Sequence, residues 1–195
     1  MRDERINKLA KGLVNYSVNL KKGEKVFIEA IDVPEELVCA LLENVYAAGG
    51  IPYVKLVSNR VQRSLLMGAG EESIKKLAEY EAHIMNDMDA YIGVRGFKNN
   101  FELSDVPSET SALYQREFFY PVHHEIRVKK TKWVILRYPT DGMSQLSEMS
   151  TEKFEDFYFD VCTLDYAKMS KAMDPLVELM NKTDKVRLVA KNTDI

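Results

Sequence analysis

The stretch Lys25-Val-Phe-Ile-Glu-Ala-Ile-Asp-Val-Pro-Glu-Glu36, carried on through Leu37, Leu41, Val45 and Ala48 to Gly49-Gly50-Ile51-Pro-Tyr-Val-Lys-Leu56, decides the fold. Its two ends are short runs rich in β-branched and aromatic residues, the composition of strands. Between them apolar residues recur at helical spacing. Pro34 suits a helix start, and Glu35 and Glu36 complement the positive end of the helix dipole. Gly49-Gly50 closes the helix, since glycine takes the left-handed backbone that ends many helices. A strand, a helix and a strand with no hairpin turn between them make a parallel unit.

The same alternation extends outward. Ile6, Leu9, Leu13 and Val14 predict an amphipathic helix over residues 3–19, broken by Lys22-Gly23-Glu24. Residues 60–68 and 71–86 have helical periods, separated by Gly68 and Gly70. Ala90-Tyr-Ile-Gly-Val94 reads as a third strand and residues 97–107 as an exposed polar loop. A helix over 108–120 is stopped or kinked by Pro121. Trp133-Val-Ile-Leu136 is a fourth strand, and 138–149 a loop with a turn signal at Thr140-Asp-Gly-Met143. Helical patterns return at 151–160 and 164–182, where Asp174-Pro175 reads as the cap and first position of a new helix. Val186-Arg-Leu-Val-Ala190 is a fifth strand. The expected fold is α/β: a three-layer, Rossmann-like, mainly parallel sheet of about five strands, near 25–30, 51–56, 90–94, 133–137 and 185–190, with helices on both faces.

A chain of 195 residues suits one generous domain, and 46% hydrophobic with 29% charged residues is ordinary for a globular protein. The net charge of −3 supplies no electrostatic reason to expect nucleic acid or an acidic membrane. The basic cluster Arg127, Lys129, Lys130 and Lys132 reads as the solvated approach to a strand. Two cysteines, Cys39 and Cys162, form neither a disulfide framework nor a zinc motif, and read as buried free thiols of a reducing compartment. The charged start Met1-Arg-Asp-Glu-Arg5 lacks a signal peptide's apolar region, and no apolar run approaches the ~20 residues of a membrane helix. A cytoplasmic location is expected.

The chemical motifs are sparse. The first strand-to-helix turn, residues 29–36, has no glycine and four carboxylates, a poor cradle for a dinucleotide's phosphates. Gly49-Gly50 and Gly68-x-Gly70 match no phosphate loop, and no nucleophile elbow occurs. His83, His123 and His124 are the three histidines; neighbours on a regular helix point apart, so His123 and His124 cannot share one ion there. Asn86-Asp-Met-Asp89 reads as a turn before a strand. The aromatics of 118–120 and 154–159 fall at helical spacing, which suits core or interface. No residue is singled out as catalytic, cofactor-binding or metal-ligating.

The last third carries a further signal. Trp133-Val-Ile-Leu-Arg-Tyr-Pro139 is followed in order by Met149-Ser-Thr-Glu-Lys-Phe-Glu-Asp-Phe157, Leu164-Asp-Tyr-Ala-Lys-Met169, Met173-Asp-Pro-Leu176, Thr183-Asp-Lys-Val-Arg-Leu-Val189 and Asn192-Thr-Asp-Ile195. This order resembles the M29 family of metallo-aminopeptidases, the aminopeptidase T, aminopeptidase S and PepS group. The resemblance is loose over most of the chain and good over 133–195. It departs where the family favours glycine before the terminal Thr-Asp, with Lys191-Asn192 in its place. Asparagine also tolerates a tight turn.

The resemblance implies a cytoplasmic, dimeric exopeptidase that removes N-terminal residues from peptides with two divalent ions, zinc, cobalt or manganese. In the family the Glu, His and Asp ligands and a catalytic Tyr lie in a C-terminal domain, and their motifs have no counterpart here. Residues 1–195 are therefore expected to be the N-terminal α/β domain, inactive alone, holding no metal, and without nucleic-acid or membrane partners. Residues 191–195 would then be an exposed junction remnant, poorly ordered or held by a neighbour, which promotes self-association. The alternative is a freestanding α/β module, without enzymatic activity, that binds a small anion or peptide at its strand ends.

Overall fold

Four parallel strands form the sheet that organises the larger part of the chain. The computed structural model describes residues 3–195, so Met1 and Arg2 of the charged start lie outside it. The chain divides into two units after Thr163.

In the first unit, α1 (Glu4–Gly12) runs into a π-helical turn, Leu13–Ser17. Then come β1 (Lys25–Ile31), α2 (Glu35–Ala47), β2 (Ile51–Val57), α3 (Asn59–Met67), α4 (Glu71–Asn86) and β3 (Ala90–Arg95). After them follow α5 (Ser108–Tyr114), a π-helix over Gln115–Val128, β4 (Lys132–Arg137), α6 (Asp141–Leu146) and α7 (Thr151–Cys162). The strand order is β2-β1-β3-β4, all parallel.

The pleat of β1 sorts its side chains into two cores. Val26 and Ile28 face one way, with Leu9, Val14, Leu37, Leu41 and Phe159, which places α1, α2 and α7 on that side. Phe27 faces the other, with Ile74, Met85, Tyr91, Phe118 and Val122, from α4, β3 and the π-helix. The three-layer α/β arrangement is thus present.

Gly93 is the tight point of the second layer. A Cβ there would stand 2.8 Å from Tyr91 Cε1 and 3.0 Å from its hydroxyl. The Tyr91 ring is fully buried and lies where that side chain would go. Gly93→Ala is expected to cost about 1–3 kcal/mol by overpacking. A lowered urea midpoint checks this, and an unchanged midpoint would show that the ring has room to move.

Several local expectations are corrected. The helix after residue 108 runs through Pro121, because the wider π winding accommodates the ring and continues to Val128. The loop expected at 138–149 contains α6, whose start Thr140 caps by accepting from the Met143 amide at 3.4 Å. Cys39 is exposed, since Leu37, Val38 and Leu41 claim the inward face of α2. Cys162 is half-buried. Arg127 is buried rather than solvated, only 5% exposed. Its guanidinium lies over the rings of Tyr91 (5.1 Å) and Trp133 (4.9 Å), which screen its charge from water with cation–π contact. Asn86-Asp-Met-Asp89 forms the turn expected before β3, and Asp89 in addition accepts from the Lys25 amide of β1 at 2.8 Å.

The second unit holds α8 (Tyr166–Asn181), β5 (Val189–Ala190) and β6 (Thr193–Asp194). Asp165 caps α8 by accepting from the Lys168 amide at 3.0 Å. No new helix starts at Asp174: α8 passes through Pro175 without interruption. The carbonyl of Lys171 that Pro175 leaves without its usual donor sits on an exposed helix, where water can satisfy it.

The fifth strand of the parallel sheet is likewise corrected. β5 pairs antiparallel with β6 in a small hairpin instead. Asn192 takes φ 62° at the turn, so the chain folds back and the nearest partner in sequence captures β5. Leu188 and Ile195 exchange backbone bonds of 2.7 and 3.1 Å, and Arg187 donates to the two Asp194 carboxylate oxygens through Nε and Nη2. Residues 191–195 are thus tied by their own chain rather than left as a loose end.

Candidate functional site

The carboxyl ends of β1, β2 and β3 open on a cavity of about 940 Å³. In an order of β2-β1-β3-β4 the connections from β1 and to β3 run to opposite sides, so β1 and β3 flank the topological switch point. That crevice is where open α/β sheets bind ligands.

Its polar floor follows from strand register. The pleat that turns Phe27 toward α4 turns Glu29 the same way. Register sets Lys55 on one side of Glu29 and Gly93 on the other. Because Gly93 has no side chain, the Tyr91 ring reaches along its strand toward Glu29. The Tyr91 hydroxyl donates to Glu29 Oε2 at 2.7 Å and accepts from Arg95 Nη2 at 2.8 Å. Arg95 Nη2 also meets Glu29 Oε2 at 2.7 Å. Lys55 Nζ lies 3.7 Å from Glu29 Oε1 and 2.7 Å from Glu81 Oε1 of α4.

The walls come from helices. α3 contributes Gln62 and Leu65, and the segment from α5 into the π-helix contributes Tyr114, Phe118, Phe119 and His123. Tyr114 and Phe118 stack at 4.7 Å. Gln62 donates to the Tyr114 hydroxyl at 3.3 Å. His123 is 4% exposed, and its Nδ1 accepts from Arg127 Nε at 3.3 Å. That bond makes Nε2 the protonated nitrogen of the neutral ring.

The charges are strongly perturbed. Burial works to raise the Glu29 carboxyl, but Arg95, the Tyr91 hydroxyl and Lys55 outweigh it and hold it below the usual carboxylate range. Burial raises Glu81, with Lys55 opposing. Burial also pushes His123 from 6.5 down to about 4, so it is neutral at pH 7. Arg127 is lowered by burial. Arg95 Nη1 and Arg127 Nη1 are buried without an acceptor.

This donor set does not suit a divalent metal. His123 offers its lone pair to Arg127, and Glu29 is already bound by Arg95 and Tyr91. Arg95, Lys55 and Arg127 would repel a dication. Among the described residues no group of three or more His, Cys, Asp or Glu side chains is placed to hold a metal. His124 is exposed and stacked on Tyr120 at 5.1 Å, and His83 is exposed on α4. His123 and His124 face apart, on the two sides of their helix.

None of these groups is singled out by the sequence as a site residue: His123 is weighed there only as a metal ligand, Arg127 only as part of a solvated cluster, and Glu29 only as a first-turn carboxylate repelling anions, yet Arg95 and Lys55 compensate that charge. A signal existed: a glutamate inside the otherwise apolar run Val26-Phe-Ile-Glu-Ala-Ile31, which burial would oppose unless a cation met it. The identity of that cation needed the register. A smaller groove of about 400 Å³ lies between α1 and α2, with Glu4, Glu35, Glu36 and Glu43 on its walls.

A comparison with curated proteins returns no match. Among solved structures, wild-type AmpT from Thermus thermophilus is similar, with a TM-score of 0.64 and 22% identity over 82% of this chain and 43% of that one. At that identity the likeness speaks for the fold, and this chain spans less than half of AmpT's length. The model of the family described as thermophilic metalloprotease (M29) matches residues 2–195. An open α/β sheet matched over nearly its whole sequence by that model places this chain in the M29 metalloprotease family.

Proposed function

We propose that this chain is the N-terminal domain of a metal-dependent aminopeptidase that removes N-terminal amino acids from peptides. The observation that carries the reading is the M29 match over residues 2–195. On this reading a C-terminal domain holds two divalent ions, zinc, cobalt or manganese, which activate a water and polarise the scissile carbonyl. This domain contributes fold and surface, since its buried histidine and carboxylates are committed to arginine, lysine and tyrosine.

The reading includes a homodimer working on peptides in the cytoplasm. A net charge of −3 and the absence, among the described residues, of any helix long and apolar enough to cross a membrane accord with it. Dimer formation is checked by sedimentation velocity over a wide concentration range.

The decisive experiment compares the 195-residue protein with a polypeptide in which an M29 C-terminal domain follows it. With leucine p-nitroanilide and added zinc, cobalt or manganese, the extended polypeptide is expected to turn over and the 195-residue protein to remain at the buffer rate. Metal-dependent turnover by the 195-residue protein would falsify the division of labour.

A further inference from the structure

We propose that the cavity at the carboxyl ends of β1, β2 and β3 is a binding site for a small organic carboxylate with an apolar body. Nothing in this inference depends on the aminopeptidase reading. At about 940 Å³ the cavity lies at the upper end of the range of small-molecule sites. Its position at the sheet's switch point is the one that open α/β folds use for ligands.

The charge balance selects an anion. Lys55, Arg95 and Arg127 face two carboxylates, Glu29 and Glu81, through direct contact or through the Tyr91 ring between them. One cation is therefore in excess in a group of largely buried side chains, although Arg127 itself lies against Tyr91 and Trp133 and off the cavity lining. Glu29 Oε2 already accepts from Tyr91 and Arg95, which leaves little capacity to attract an ammonium. Arg95 lines the cavity, and one arm of its guanidinium, Nη1, is buried with no acceptor. His123 also lines it and, with Nδ1 occupied, offers a donor at Nε2. A carboxylate entering between Arg95 and His123 would meet a planar fork that matches its geometry after a small turn of the guanidinium.

The rest of the lining selects an apolar body. Leu65, Leu66, Val106, Phe118 and Phe119 surround the polar floor. A fully hydrated anion such as phosphate would lose water against these side chains with few donors in exchange. A carboxylate on an aliphatic or aromatic group buries its body there and keeps a single charge for the Arg95 guanidinium. Winding most of one wall as a π-helix fits this use, since π-helical segments concentrate at functional sites.

The test is isothermal titration of the purified protein with N-acetyl-L-leucine, N-acetyl-L-leucinamide and inorganic phosphate. The blocked amino group makes these probes unsuitable as aminopeptidase substrates, so the result stands whether or not peptides are cleaved. The carboxylate is expected to bind saturably, with the amide weaker by roughly tenfold or more, the worth of one charge-assisted contact. Phosphate is expected to be similarly weak.

Arg95→Lys keeps the charge and removes the fork, and should weaken the carboxylate several-fold. Val61→Trp blocks the cavity from a position that is 68% exposed, so folding is preserved while binding is lost. Amide or phosphate binding as tight as the carboxylate would overturn the proposal, as would full binding by Val61→Trp.

Discussion

Arg95→Met is expected to destabilise the protein by about 3–5 kcal/mol, the usual cost of breaking a buried ion pair by removing one partner. Glu29 is only 6% exposed, and in the native protein Arg95 Nη2 stands 2.7 Å from its Oε2. Without Arg95, burial dominates and the carboxyl must take up a proton or remain an uncompensated charge. Lys55 cannot replace the lost contact, because it is 3.7 Å from Glu29 and engaged with Glu81 at 2.7 Å.

The partner experiment is Arg95→Met combined with Glu29→Gln. Removing both charges should recover a large part of the loss, since the penalty belongs to the unpaired charge. Urea unfolding followed through the single tryptophan, Trp133, measures both variants. A loss below about 1 kcal/mol for Arg95→Met would mean that the Glu29 site is wet, since pairs exposed to water contribute no more than that.

The second large effect is in pH. His123 titrates near 4 in the folded protein and near its ordinary 6.5 when unfolded. Between those values the unfolded chain binds the proton and the folded one does not, so stability is full above about pH 6.5 and falls toward pH 4. At 1.36 kcal/mol per unit the loss is about 3 kcal/mol.

Two carboxylates modify the profile. Glu81 is raised in the folded state, so it binds a proton before its unfolded counterpart and opposes part of the loss. Glu29 is lowered, so its contribution is present above the ordinary carboxylate range and disappears as pH falls below it. The difference between the native protein and His123→Gln isolates the histidine. Glutamine can still accept from Arg127 but carries no titration. The variant should lose about 2–3 kcal/mol less than the native protein between pH 7 and pH 4. Parallel pH profiles would show that folding leaves the His123 pKa unshifted.

The chain's periodicities are most informative where one pattern runs without interruption. The β1-α2-β2 unit, β3 and β4 stand where alternating strand and helix signals place them. Prolines were the weaker guide. Pro121 and Pro175 both lie inside continuous helices, where π winding in one case and solvent in the other accommodate the missing donor. The carboxyl-end cluster was illegible for another reason: Glu29, Lys55, Tyr91 and Arg95 belong to three strands, and no short-range spacing links them.

By itself, the sequence determined the α/β class, the four segments that form the parallel sheet and the family, because these depend on local periodicity and on the order of motifs along the chain, but it added a fifth strand that the sheet does not contain. Only the tertiary structure decided that Val189-Ala190 joins a hairpin instead of the sheet, since Asn192 at φ 62° brings Thr193-Asp194 back as a nearer partner. It alone decided that Glu29 meets Arg95 beneath Tyr91 and that His123 is held neutral. Those properties arise from register, the space above Gly93 and burial, and burial is set by groups distant in sequence.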